Sequence, residues 1–225
     1  MLDLPDLPRE GFVTAQDYVY ARLRNAIMVG AVQPESTLTI RGLADCMGIS
    51  PTPIREALRR LGSERAIELL GNRRISIPGM TLERFEEIVS LRRALEGHAA
   101  RRALPYVSQV LIDELALIDD RMDGHVRAGD FDALTTSNHA FHRLLYTANP
   151  HQQAMPAIES VWLQLGPFQR RVIRDVRQFY LVDRHKEILR ALRERDCGAL
   201  VRAIEDDIRD GIQQAGQLVL AEDRG

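Results

Sequence analysis

Residues 38–78, LTIRGLADCMGISPTPIREALRRLGSERAIELLGNRRISIP, decide how the chain is read. Ser50 stands where a helix N-cap belongs, and Pro51 takes the first helical position, where its missing amide would have no intrahelical partner. A helix is therefore expected from 51 to about 64. Its helical period gathers Ile54, Ala57, Leu58 and Leu61 on one stripe and Thr52, Arg55, Glu56, Arg59 and Ser63 on the other. One face packs, and the other is free to meet something polar. A preceding helix with Ile40, Leu43, Ala44 and Met47 inward, and a turn at Gly48 where positive φ costs nothing, complete a helix-turn-helix. Residues 66–70 and 74–78 read as two strands around Gly71-Asn72, with Arg73 and Arg74 at the tip. Basic residues on such a hairpin can reach phosphates or a minor groove while the second helix lies in the major groove. The unit is a winged helix-turn-helix. A bare helix-turn-helix pattern and outward arginines also suit any small solvated hairpin, and the wing tips the balance toward DNA.

Working outward, Thr14 caps a helix with Asp17 three residues on, and Tyr18, Val19, Leu23, Ala26 and Ile27 form its apolar face as far as Gly30. Residues 31–37 read as a loop around Pro34. Residues 1–13, broken by Leu-Pro pairs, read as a flexible arm and not as a signal peptide. Pro78-Gly79 marks a boundary between a domain at 14–79 and a second at 80–220. Beyond it the pattern is helical throughout. Helices are expected at 82–104, 108–128, 131–148, 153–165 (stopped by Gly166-Pro167), 167–177, 179–195 and 198–219. The chain is thus mainly α, with a winged helix-turn-helix followed by an all-α bundle of six or seven antiparallel helices.

Composition narrows the function. The 225 residues carry 30 basic and 32 acidic side chains, a formal charge of −2. Residues 1–79 hold ten arginines against nine carboxylates, so any affinity for DNA depends on the placement of Arg41, Arg55, Arg59, Arg73 and Arg74 and not on bulk charge. No apolar run spans a bilayer, which with the N-terminus gives the expectation of a cytoplasmic protein without a membrane partner. Two cysteines, Cys46 and Cys197, make neither a disulfide framework nor a zinc finger.

The second domain sets polar residues on apolar stripes. Asn138 and His142 share a face with Leu134, Phe141 and Leu145; His185 aligns with Ile188, Leu189 and Leu192; Asp207 aligns with Leu200, Ala203 and Ile204. Each such group left unsatisfied would cost roughly 1–3 kcal/mol. Two imidazoles, a carboxylate and an amide oxygen make a candidate divalent-metal set, and a polar pocket or hydrogen-bonded core histidines remain the other reading. His139 points about 100° away from this set and reads as exposed or interfacial. Arg92, Arg93 and His98 are candidates for an effector pocket, although Arg92 and Glu96 also form an ordinary i,i+4 pair. Trp162 reads as core.

Read together, YARLRNAIMVGAVQPESTL (20–38), LADCMGISPTPIREALRRL (43–61) and the hairpin that follows resemble a GntR-type transcription regulator of the FadR-like branch, whose C-terminal domain is the all-helical FCD type. The resemblance covers about residues 14–219. It implies DNA contacts at Arg41, Ser50, Thr52, Arg55 and the wing-tip Asn72. Pro51 stands where the family often has Arg, Asn72 replaces the usual wing glycine, and Arg65 replaces the usual Gly before the first wing strand. It also implies a divalent metal, with zinc, nickel or manganese as candidates, on Asn138, His142, His185 and Asp207. Asp207 takes the place of a histidine and so turns preference toward harder ions. A homodimer on a palindromic operator, more often a repressor than an activator, responding to a small organic acid, is the function implied. A regulator whose pocket works without metal and a metal-dependent enzyme with a DNA-binding appendage are the competing readings; no paired nucleophile and base supports the enzyme.

Overall fold

The computed structural model describes residues 4–70, 74–175 and 184–222. Helix α1 (Ala15–Met28) starts at Thr14, whose side chain accepts from the Asp17 amide. Strand β1 (Thr37–Thr39) leads into α2 (Ile40–Met47), which ends at Gly48 with φ of 63°. Helix α3 (Pro51–Ser63) buries Ile54, Ala57, Leu58 and Leu61 against α1 and α2. Strands β2 (Glu68–Leu70) and β3 (Arg74–Ser76) form the wing, whose expected turn at Gly71-Asn72 lies outside the described residues.

The sheet has three strands, in the order β1-β3-β2. β1 pairs antiparallel with β3 through Leu38 and Ile75, and β2 pairs with the same residue through Leu69. The expected loop at 31–37 therefore ends in a strand. Three residues are too few to show alternation, and Thr39 at once turns into the cap of α2 by accepting from the Gly42 amide. Arg65, at the joint between α3 and the wing, has φ of 58°. A side chain in this left-handed region costs about 1–2 kcal/mol. Arg65→Gly is expected to raise stability by about 1 kcal/mol, read as a higher urea midpoint with an unchanged m-value.

The chain divides into two units, Met1–Thr81 with Trp162–Arg171, and Leu82–Val161 with Val172–Gly225. Residues 162–171 are expected in the helical domain, and a helix end is expected at Gly166-Pro167. Instead α7 (Met155–Asp175) runs through Pro167, and Leu163 joins the core of the first unit with Val19, Leu23, Ile54 and Leu61. Gly166 serves packing here and not termination. A Cβ there would stand 2.5 Å from the Ile27 carbonyl oxygen and 2.6 Å from that of Met28.

In the second unit α4 (Leu82–Ala103), a short 3-10 turn (Leu104–Tyr106), α5 (Gln109–Ala128), α6 (Phe131–Tyr146), α8 (His185–Glu194) and α9 (Cys197–Ile208) follow in order. Side-chain caps at Ser108, Asp130 and Asp196 start α5, α6 and α9, and Gly129 ends α5 with φ of 69°. α4 packs on α6 and α9, α5 on α6 and α8, and α8 on α9. The helix expected at 179–195 is described only from His185. The one expected at 198–219 is broken by a π turn (Arg209–Gln213) before α10 (Gln214–Glu222). Among the described residues no helix is long and apolar enough to cross a membrane.

Candidate metal centre and nucleic-acid interface

The outer face of the helix-turn-helix carries Arg41 on α2, Ser50 at the N-cap of α3, and Thr52, Arg55 and Arg59 along α3, all exposed. Ser50 makes no side-chain cap, so its hydroxyl is not committed to the helix. Arg59 is held by Glu56 at 2.6 Å, whereas Arg55 and Arg41 form no ion pair with a described residue. Arg60, also exposed, lies 3.6 Å over the Tyr20 ring and 3.6 Å from Glu64. Arg74 is exposed at the start of β3, and Asn72 and Arg73 lie outside the described residues.

In the second unit α6, α8 and α9 bring the polar set together. Ligand atoms of His142, His185 and Asp207 all lie within 4.8 Å of one another. His142 Nε2 is 3.2 Å from Asp207 Oδ2, His185 Nε2 is 3.9 Å from Asp207 Oδ1, and the half-buried Asn138 amide is 3.2 Å from His185 Nε2. The Phe141 ring walls the set, edge-on to both imidazoles. Burial pushes the Asp207 carboxyl up, but the His185 and His142 rings and the Arg92 guanidinium outweigh it and bring it down to about 2. Asp207 is therefore an anion facing two imidazoles. His142 Nε2 is fully buried and stands 3.2 Å from Asp207 Oδ2.

Behind this set is a buried chain that the sequence reading missed. Arg92 Nε donates to Glu96 Oε1 at 2.6 Å, the Tyr146 hydroxyl donates to Glu96 Oε2 at 2.7 Å, and His142 Nδ1 lies 3.1 Å from that hydroxyl. Burial and then the Glu96 carboxylate push the Tyr146 hydroxyl well above its ordinary range. Asp119 on α5, also buried, stands 3.7 Å from His185 Nδ1.

The three effector-pocket candidates and one neighbour lie as follows. Arg92 is only 5% exposed and is held by Glu96. Arg93 pairs at the surface with Glu205 at 3.4 Å. His98 is exposed, because the stripe it shares with half-exposed Leu91 is the outer one; Phe85, Val89, Arg92, Glu96, Ala99 and Ala103 face inward. His139 is buried, not exposed, since α6 is covered on two flanks by α4 and α5. Trp162 is buried, as expected.

The sequence matches the FCD domain family over residues 87–210, more than half of the chain, and the gntR family of bacterial regulatory proteins over residues 15–77. The chain belongs to the GntR family, FCD type. The first match covers all four residues of the polar set, and the second covers the helix-turn-helix and the wing. Among curated relatives, this GntR-family chain is 28% identical to the HTH-type transcriptional regulator McbR of Escherichia coli (strain K12). That alignment spans 64% of this chain and 66% of McbR, just under two thirds of its length. It is 24% identical to the gluconate operon transcriptional repressor of Bacillus subtilis (strain 168), over 85% of this chain and 82% of the repressor. The solved structure of E. coli McbR/YncC superimposes with a TM-score of 0.83 at 22% identity, covering 95% of this chain and all of that one. A GntR regulator from Rhodococcus sp. RHA1 gives 0.73 at 23% identity, covering 89% and 96%. These two show a shared fold. The GntR-family chain is accordingly a DNA-binding transcriptional regulator by its family, with its helix-turn-helix in the first unit.

Proposed function

We propose that this regulator is a homodimeric repressor, acting in the cytoplasm, whose hold on a palindromic operator is controlled by a small organic acid bound at a divalent metal in the domain at 80–220. The observation that carries the metal is the convergence of His142, His185 and Asp207, whose ligand atoms all lie within 4.8 Å of one another. A buried imidazole nitrogen and a carboxylate oxygen 3.2 Å apart are spaced as two ligands of one cation. His142, His185 and Asp207 would hold the ion, with Asn138 beside them. Bound there, a divalent ion supplies a positive charge for an oxyanion such as a carboxylate. Zinc, nickel and manganese all suit imidazole ligands, and the Asp207 carboxylate favours the harder manganese. The gluconate operon repressors among the relatives make sugar acids the first effectors to try.

On the DNA side, two copies of α3 would enter successive major grooves, which doubles the phosphate contacts that a domain of near-neutral charge makes singly. Arg41, Ser50, Thr52 and Arg55 are the proposed contacts, with Arg59, Arg73, Arg74 and Asn72 beside them. Arg55→Ala is expected to weaken operator binding by about 1–3 kcal/mol and to relax sequence preference, measured by fluorescence anisotropy on the operator and on scrambled DNA. Equal loss on both DNAs would make Arg55 a phosphate contact only.

The reading as a whole is tested by a thermal-shift screen of small carboxylic and sugar acids on metal-loaded and chelator-stripped protein. The expected result is a ligand that raises Tm only in loaded protein, loses its effect in His142→Ala, and releases operator DNA. A ligand that acts equally on stripped protein would establish a metal-free pocket instead.

A further inference from the structure

We propose that Arg92, Glu96 and Tyr146 form a buried relay that fixes His142 as its Nδ1–H tautomer, leaving the Nε2 lone pair facing Asp207 and His185. The inference rests on the metal reading for its purpose, but its geometry stands by itself. It follows from counting protons along the chain. The Arg92 guanidinium can only donate, and it occupies Glu96 Oε1 at 2.6 Å. Glu96, paired with it as a carboxylate, can only accept, so the single hydroxyl proton of Tyr146 goes to Glu96 Oε2 at 2.7 Å. The Tyr146 oxygen is then left as an acceptor toward His142, 3.1 Å away, and the bond between them must use a proton on Nδ1. A neutral ring with its proton on Nδ1 has its lone pair on Nε2. That is the atom that stands 3.2 Å from the Asp207 carboxylate, in the set that converges with His185.

All four members are almost wholly buried, Arg92 at 5% exposure and Glu96, Tyr146 and His142 at 0%, so water does not compete for these bonds. Tyr146 and Glu96 are positioning residues, and Arg92 is the anchor that keeps Glu96 from turning its accepting oxygens elsewhere. Arg92 thus has a structural post through its Nε. His185 has the Asp119 carboxylate 3.7 Å from its Nδ1.

The relay makes a prediction that a merely structural role would not. In Glu96→Gln the Arg92 guanidinium keeps the amide oxygen toward itself and turns the amide NH2 toward Tyr146. The tyrosine must then accept from the amide and donate to His142 Nδ1, which moves the ring proton to Nε2 and occupies the ligand lone pair. The test is a long-range proton–nitrogen correlation spectrum of histidine-labelled, chelator-stripped full-length protein at about pH 8, above the ordinary histidine range. It is followed by calorimetric titration with zinc and with manganese. Wild type is expected to show His142 protonated on Nδ1, and Glu96→Gln to show Nδ1 unprotonated, with affinity lower by about 10- to 100-fold. Tyr146→Phe, which removes the acceptor without adding a donor, is expected to give a tautomer mixture and an intermediate loss, and it serves if Glu96→Gln does not fold. Nδ1 found unprotonated in wild type, or variants that keep the wild-type Nδ1 proton and affinity, would overturn the relay. If stripped wild type takes up neither metal while the tautomer still inverts, the relay stands and the metal reading falls.

Discussion

Gly166→Ala is expected to destabilise the first unit by about 2–3 kcal/mol, the cost of overpacking a site that cannot yield. The added methyl would sit 2.5 Å from the Ile27 carbonyl oxygen, 2.6 Å from the Met28 carbonyl oxygen and 3.0 Å from the Met28 carbonyl carbon. All three are backbone atoms at the end of α1, so no rotamer change relieves them. Gly30 closes the same seam from the other side, at φ of 70°, with the Arg170 side chain against its Cα. Alanine gains roughly 1 kcal/mol of helix propensity over glycine, which offsets only part of the clash. Gly211→Ala is the matched control, because a Cβ there meets nothing within 4 Å. Urea unfolding followed by circular dichroism is expected to show a lowered midpoint for Gly166→Ala and an unchanged or slightly raised one for Gly211→Ala. Equal midpoints for Gly166→Ala and wild type would contradict the close approach.

Glu96→Leu carries the second large effect. Removing one partner of a buried ion pair leaves Arg92, 5% exposed, without its counter-charge and costs about 3–5 kcal/mol. Tyr146 loses its acceptor in the same step. Replacing both charged partners, as Arg92→Met with Glu96→Leu, removes the uncompensated charge and is expected to recover most of that loss. The double variant would still bind metal less tightly, because His142 has lost the group that orients it. Thermal melts of the single and double variants test the stability claim. A single variant as stable as wild type would mean that Arg92 reaches solvent or another anion.

Helical period made much of this molecule readable. The inward stripe of α3 and the polar residues at 138, 142, 185 and 207 were visible because an apolar face repeats every three or four residues and an exception on it stands out. Glu96 and Asp119 carry the same signature, each in line with buried neighbours such as Ala99 and Ala103, or Ile112 and Leu115. Glu96 was masked by its spacing from Arg92, which looks like an ordinary surface pair. The exposure of His98 and Arg93 is not legible in the sequence, since α4 has two partly apolar stripes and only packing on α6 and α9 decides which is inside. Strand β1 was not readable, because its three residues become a strand only by pairing with Ile75 and its neighbours far along the chain. The run of α7 through Gly166-Pro167 was hidden because the breaker signal is local and the packing against Ile27 and Met28 is tertiary.

The measurement that bears most directly on the proposed metal centre is calorimetric titration of chelator-stripped protein with zinc and with manganese, for wild type and for His142→Ala, His185→Ala and Asp207→Ala. The account predicts one ion per chain in wild type and loss of at least ten-fold in affinity in each variant, with melting temperatures of the stripped proteins showing that the variants remain folded. Wild-type protein that takes up neither ion, or variants that bind as wild type does, would contradict it.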